Sequence, residues 1–182
     1  FKLEKQIKKF QENNKIDIVY SNYFISSNQK IEKKTKRLVN GYCQSKIIES
    51  YIDGSPLTAW LTLMIKKNSI EKLEYSFDNK THISSDFDLI IRLSNFANFD
   101  YLDDYLAYYR VHEDNESKNT QKEISELIYI LNKFSKNKYL ERIFCYKNYL
   151  YKLYIKYFIQ KKFENNLNAS FYLANKIKIK II

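Results

Sequence analysis

Glycine and proline are nearly missing from this chain: its 182 residues include 2 glycines and 1 proline, where globular chains average about 7 % and 5 %. Turns that depend on either residue are thereby excluded almost everywhere. The chain must turn instead on Asn, Asp and Ser, which hydrogen-bond their own backbone and tolerate left-handed conformations. The 2 cysteines, Cys43 and Cys145, lie far apart with no metal-ligand spacing. That leaves free thiols in a reducing, cytosolic compartment as the default. No apolar run is long enough to span a bilayer. There is no internal repeat. Carboxylates are outnumbered, 21 Asp and Glu against 31 Lys and Arg, and the net charge is +10. Such a balance favours polyanions or an anionic membrane surface. Abundant Lys, Asn, Ile, Tyr and Phe also mark a compositional drift that supplies part of the charge.

An apolar fraction of 45 % is enough to build a core, and the length suits one ordinary domain or part of a larger protein. The chain starts at Phe1, without Met, inside a helical pattern, so a native N-terminus is expected upstream. Residues 1–13 read as a helix with Leu3, Ile7 and Phe10 on one face, ended by Asn13-Asn14. Residues 16–20 (IDIVY) read as a buried strand and 23–25 as a second one. A charged connection is predicted over 28–36, a short helix over 44–51 and a turn at Asp53-Gly54-Ser55-Pro56. Residues 57–65 (LTAWLTLMI) read as a buried strand and 66–73 as a short helix or turn. A helix is predicted over 85–96, then two short strands, 99–102 and 105–110, around Asp103-Asp104. A polar loop follows over 112–120, and from Gln121 the pattern is helical. The expected fold is α/β, with a mixed sheet and flanking helices over 1–120 and a helical extension over 121–182.

Two segments carry chemistry. In Ser84-Ser85-Asp86-Phe87-Asp88-Leu89-Ile90-Ile91-Arg92-Leu93, Ser85 reads as an N-cap and Ser85-x-x-Asp88 resembles a capping box. Both acids would then sit in a first turn, where the helix dipole favours anions, which explains them without any function. Facing separates them. Asp88 lies one turn before Arg92, and an i,i+4 ion pair accounts for it. Asp86 lies over Leu89, Ile90 and Leu93, where a carboxylate is costly unless it lines a cleft. Asp86 is therefore the candidate for chemistry and Asp88 for structure. In Leu106-Ala107-Tyr108-Tyr109-Arg110-Val111-His112, Arg110 and His112 are two apart and point to one side of an extended segment. Arg offers a donor fork for phosphate, and His can hold a divalent metal or donate to a phosphate; a surface Arg beside a loop His is the bland reading. A base together with cations for an anionic leaving group is what transfer from a phosphate-activated donor requires. His82 reads as a loop residue.

These two segments, with Asn115 and Ser117, resemble the later half of a glycosyltransferase family 2 domain, a family with the GT-A fold. Residues 1–20 resemble the helix and strand just after that family's Asp-x-Asp motif, and Phe77-Asp78 resembles its Phe-Asp-Glu turn. The resemblance covers 1–118. It implies inverting sugar transfer from a nucleotide-diphosphate donor to a glycan or lipid-linked acceptor, in bacterial surface polysaccharide synthesis. By resemblance Asp86 matches the general base. Ser85-Asp86 stands where the family often has Glu-Asp. Arg110 and His112 match a Tyr-Arg-x-His segment near the donor diphosphate and its Mg²⁺ or Mn²⁺, with His112 a candidate metal ligand. The nucleotide-binding half and the Asp-x-Asp motif are not in this chain; Asp103-Asp104 and Asp86-x-Asp88 match other parts of the pattern. The chain on its own is therefore expected to be inactive. The location implied is cytoplasmic, at the inner face of the cell membrane.

Over 142–182 the one carboxylate side chain is Glu164, among many Lys and Tyr. Three readings stand, in order of preference: helices packed on the catalytic part, a peripheral membrane helix, or a single-stranded nucleic-acid site. No nucleic-acid motif accompanies the segment, so nucleic acid is not an expected partner. A basic helical module without enzymatic activity, binding membrane or nucleic acid, is the alternative to the enzyme.

Overall fold

The computed structural model describes residues 1–27, 30–34, 50, 58–116 and 119–134. The chain divides into two compact units, Phe1–Lys118 and Asn119–Ile182. The first is mixed α/β, as the residue pattern predicts. Helix α1 (Lys2–Glu12) leads into strand β1 (Ile18–Ser27), followed by β2 (Lys30–Lys34). A single 3-10 turn (Trp60–Thr62), β3 (Met64–Ile65) and α2 (Lys67–Glu71) come next, and then α3 (Ser85–Ser94) and β4 (Phe99–Arg110).

Strand β1 organises the sheet. It pairs antiparallel with β3 at its start (Ile18 with Ile65, Val19 with Met64) and antiparallel with β2 at its end (Tyr23 with Lys34 through Ser27 with Lys30). Strand β4 runs parallel to it from Ile18–Phe99 to Ser26–Arg110. Parallel neighbours need a long crossover, and here the crossover contains α3. Alternation along the strands puts Ile18, Tyr20, Phe99 and Tyr101 toward that helix. They pack with Leu89, Ile90, Leu93 and Ala97. Each fully buried aliphatic side chain of this kind contributes about 1.5–3 kcal/mol.

Asp17 fastens the entry to the sheet. Its carboxylate accepts from the Asn98 N–H (2.9 Å) and the Ser69 hydroxyl (3.0 Å), while the Asp17 and Ile18 N–H groups donate to the Asn98 carbonyl. The starts of β1, β4 and α2 are thus joined through one side chain.

Several elements differ from the sequence expectation, each for a local reason. The two strands predicted over 16–25 are one continuous strand, and the two predicted over 99–110 are one strand with an irregularity. The β1–β4 register shifts on either side of Asn22, which absorbs Asp103-Asp104 as a bulge. Asn22 Nδ2 donates to Asp103 Oδ1 (2.8 Å), and Lys5 pairs with Asp104 (2.8 Å). The connection expected over 28–36 holds β2 instead. The apolar run 57–65 is not one buried strand: only Met64–Ile65 form a strand, the half-buried β3, while Trp60–Thr62 make the 3-10 turn, with Thr62 donating its N–H and hydroxyl to the Ala59 carbonyl (2.8 and 2.7 Å). Trp60 is left 44 % exposed.

Helix α1 faces the sheet with its polar side. Leu3 and Ile7, expected inside, are exposed, whereas Gln6 is fully buried. Gln6 Nε2 donates to the Thr62 carbonyl (2.8 Å) and the Val19 carbonyl (3.3 Å). Lys9 pairs with Asp100 (3.2 Å), and Lys2 Nζ donates to the Leu61 carbonyl (2.7 Å). Carboxylates and open carbonyls along β4 and the 3-10 turn select the charged face of α1 over its apolar one. Gln6→Ala is expected to cost about 1–3 kcal/mol, because it strips partners from buried carbonyls; urea unfolding measures it.

In the second unit, α4 (Thr120–Lys133) is capped by Asn119, whose side chain accepts from the Lys122 N–H (3.1 Å). Ile124, Ile130 and Leu131 are buried. Of the helix predicted over 44–51 only Ser50 is described, and the turn over 53–56 and the tail over 142–182 lie outside the described residues. Among the described residues no helix is long and apolar enough to cross a membrane.

Candidate active site

Helix α3 is buried on nearly every side, from Phe87 through Ser94. Its N-cap is Ser84, not Ser85, and the predicted capping box does not form. The Asp88 N–H donates to the Ser84 carbonyl (3.2 Å), and the Ser85 hydroxyl donates back to the His82 carbonyl (3.1 Å). The Asp88 carboxylate is turned to Arg92 instead.

That pair is a buried ion pair among the described residues of the unit. Asp88 is fully buried and Arg92 8 % exposed. Arg92 Nε and a terminal nitrogen donate to Asp88 Oδ2 at 2.9 and 2.8 Å. The guanidinium also donates to the carbonyls of Tyr75 and Ser76, the latter at 2.8 Å, and lies over the Tyr75 ring at 4.3 Å. The i,i+4 pair predicted from spacing is present, and it also clamps the 75–76 loop to the helix.

Asp86 sits two residues earlier and is half-buried. Its Oδ1 accepts from the Phe87 N–H (2.8 Å), and among the described residues it forms no ion pair. Burial pushes its carboxyl above the usual aspartate range, against the opposing pull of the backbone N–H groups. The result is an anchored carboxylate with raised proton affinity at the mouth of a helix.

Arg110 and His112 lie elsewhere in the unit, at the far end of β4. With Ser26, Ile31 and Tyr108 they line an open cleft of about 650 Å³. The Val111 N–H donates to the Ser26 carbonyl (2.8 Å), extending the ladder past Arg110. Asn115 then shapes the turn. Its Oδ1 accepts from the His112 N–H (2.8 Å), and its Nδ2 reaches the Arg110 carbonyl and the Tyr109 hydroxyl, both at 3.2 Å. Both side chains are exposed and face one cleft, as period-two spacing predicts.

No contact among the described residues joins Asp86 directly to Arg110 or His112. A bridge links their surroundings: His82 Nδ1, just before α3, lies 3.0 Å from Glu116, in the turn after His112. His82 is thus more than the loop residue the sequence suggested. Tyr108 and Ile31, both about 60 % exposed, were not singled out by sequence. The signal for Tyr108 was its place two residues before Arg110, on the same side of β4.

A divalent cation needs several hard ligands together. Among the described residues no cluster of three or more His, Cys, Asp or Glu exists. Asp103 and Asp104 are bound to Asn22 and Lys5, and Asp88 to Arg92. The described residues thus build no all-protein cage for a cation, and His112 is the one such side chain lining its cleft.

No protein-family model matches the chain. The chain is 32 % identical over 163 residues to a protein from Methanocaldococcus jannaschii named uncharacterized glycosyltransferase MJ1057. The match covers 87 % of this chain and 54 % of that protein, so the chain spans about half the length of the curated relative it matches.

Proposed function

We propose that this chain carries the acceptor side of a glycosyltransferase, which moves a sugar from a nucleotide-diphosphate donor to a hydroxyl of a glycan or lipid-linked acceptor. The observation that carries the reading is Asp86, an anchored carboxylate without an ion-pair partner among the described residues, its proton affinity raised by burial. The likeness to a protein named a glycosyltransferase supports the same class.

In this reading Asp86 takes the proton of the acceptor hydroxyl as that oxygen attacks the anomeric carbon. The bond from that carbon to the diphosphate oxygen breaks, and the nucleoside diphosphate leaves with the electron pair. A raised carboxyl is better matched to this proton transfer than an ordinary one. Attack opposite the leaving group inverts the centre. Arg110 and His112 provide the cleft in which an anionic diphosphate finds charge-assisted hydrogen bonds. The rest of the donor site lies outside the residues described here.

The test is transfer from a panel of radiolabelled nucleotide sugars by the complete protein that contains this chain. Labelled product supports the reading; its absence with every donor and acceptor tried, in a folded protein, overturns it. Within that assay Arg110→Ala is expected to raise the donor KM about 10–100-fold, the worth of a charged hydrogen bond. The acceptor KM is expected to stay unchanged. The opposite pattern would remove Arg110 from the donor site.

A further inference from the structure

A second cavity opens beside α3, with Leu89 of that helix in its lining. It measures about 470 Å³, within the usual range of small-ligand sites of roughly 300–1,000 Å³. Two large aromatic rings stand at it. Trp60 and Phe77 are 44 % and 53 % exposed, and they meet edge to face with centroids 5.8 Å apart. Touching each other, the two rings present one aromatic face at the cavity. Leu89 forms part of the wall, and Lys2 and Ser76 bring polar groups to it.

We infer that Trp60 and Phe77 form the platform on which a sugar ring of the acceptor glycan stacks. The inference rests on the glycosyltransferase reading and names the part of the acceptor that this chain holds. A pyranose presents an apolar C–H face and a rim of hydroxyls, and the cavity offers the complement. The rings meet the face. Lys2 Nζ donates to the Leu61 carbonyl at 2.7 Å, and an ammonium has two further donors for hydroxyls. Position agrees as well. Leu89, part of the cavity wall, follows Asp86 by three residues, about 4.5 Å along the axis of α3. Both rings are held in place: Thr62 closes the turn that bears Trp60, and Arg92 grips the Ser76 carbonyl next to Phe77.

Trp60 is the single tryptophan of the chain, so its fluorescence reports this cavity directly. The full chain is titrated with methyl glycosides of glucose, galactose and N-acetylglucosamine, with no donor present. A saturable shift of emission to shorter wavelength is expected with at least one of them. It is expected to vanish in Phe77→Ala and to persist in Asp86→Asn. No shift with any of the three up to about 100 mM, far above the millimolar range of weak sites, overturns the inference. An equal shift with cyclohexanol also overturns it, since that marks a general apolar pocket. So does a shift unchanged in Phe77→Ala. In the complete enzyme, Trp60→Ala is expected to raise the acceptor KM about tenfold at constant donor KM; an unchanged acceptor KM overturns the platform. If the protein transfers no sugar at all, the emission titration still decides the platform separately.

Discussion

Asp86→Asn in the complete protein is expected to lower sugar transfer by about 10²–10⁴-fold, the usual contribution of a positioned general base. The amide keeps the carbonyl oxygen that accepts from the Phe87 N–H, so the helix start is preserved while the basic oxygen is lost. The pH profile gives a second readout. The carboxyl is pushed up by burial, and only its ionised form can take a proton. Transfer should therefore rise with pH through a value above the usual aspartate range, and that limb should disappear in the variant. Stability moves the other way. The folded protein holds this proton more tightly than the unfolded chain does, so the ionised group works against folding. Its penalty is absent below the ordinary aspartate pKa and grows as pH climbs through the raised value. At neutral pH the Asn variant is expected to melt higher than the parent, a stability gain obtained by giving up the reacting group. A variant that melts lower would show that burial does not strain Asp86, and one with parental activity would remove it from the chemistry.

Arg92→Ala is expected to cost about 3–5 kcal/mol, the range for breaking a buried ion pair at one partner. It leaves the Asp88 carboxylate, fully buried, without its guanidinium, and strips a donor from two carbonyls of the 75–76 loop. For a unit of this size the midpoint of thermal unfolding should fall by about 10–20 °C. The control is Asp88→Ala with Arg92→Ala. Removing both charges should cost less than the sum of the single changes, since neither is then buried alone. Strict additivity in that cycle would show that the pair is not coupled. Trp60 emission offers an independent view: with Phe77 no longer held by the loop, it should move to longer wavelength in Arg92→Ala.

What the sequence disclosed follows from where its signals were local. The β-branched and aromatic run at 16–20 and the short strand patterns at 99–102 and 105–110 identified the two paired strands, whose faces meet one core. The Asp88–Arg92 pair followed from helical spacing alone. The relative burial of the two acids did not. Facing arguments assume one wet side, and α3 is enclosed on both, so Asp88 is the more deeply buried of the two. Helix α1 shows a different limit. Its apolar stripe pointed inward by pattern, but the sheet edge it meets offers carboxylates and carbonyls, and Gln6, Lys9 and Lys2 answer them. Trp60 was hidden within an apolar run that read as a strand; only the 3-10 turn brings its ring to the surface. Arg110 and His112 were visible because two-residue spacing survives into the turn. The part of Asn115 in shaping that turn depends on contacts that no spacing rule supplies.

The irregularity at Asn22 divides the β1–β4 ladder into two stretches with different obligations. Before it, Ile18, Tyr20 and Phe99 are wholly enclosed, and any change there is felt throughout the packed interior. Beyond it, Tyr108, Arg110 and His112 stand at the water boundary on a backbone whose hydrogen bonds do not depend on what those side chains are. Side chains at the far end can thus be exchanged, one substitution at a time, while the near end keeps the chain foldable. The same strand pair thus has a packed root and an open tip.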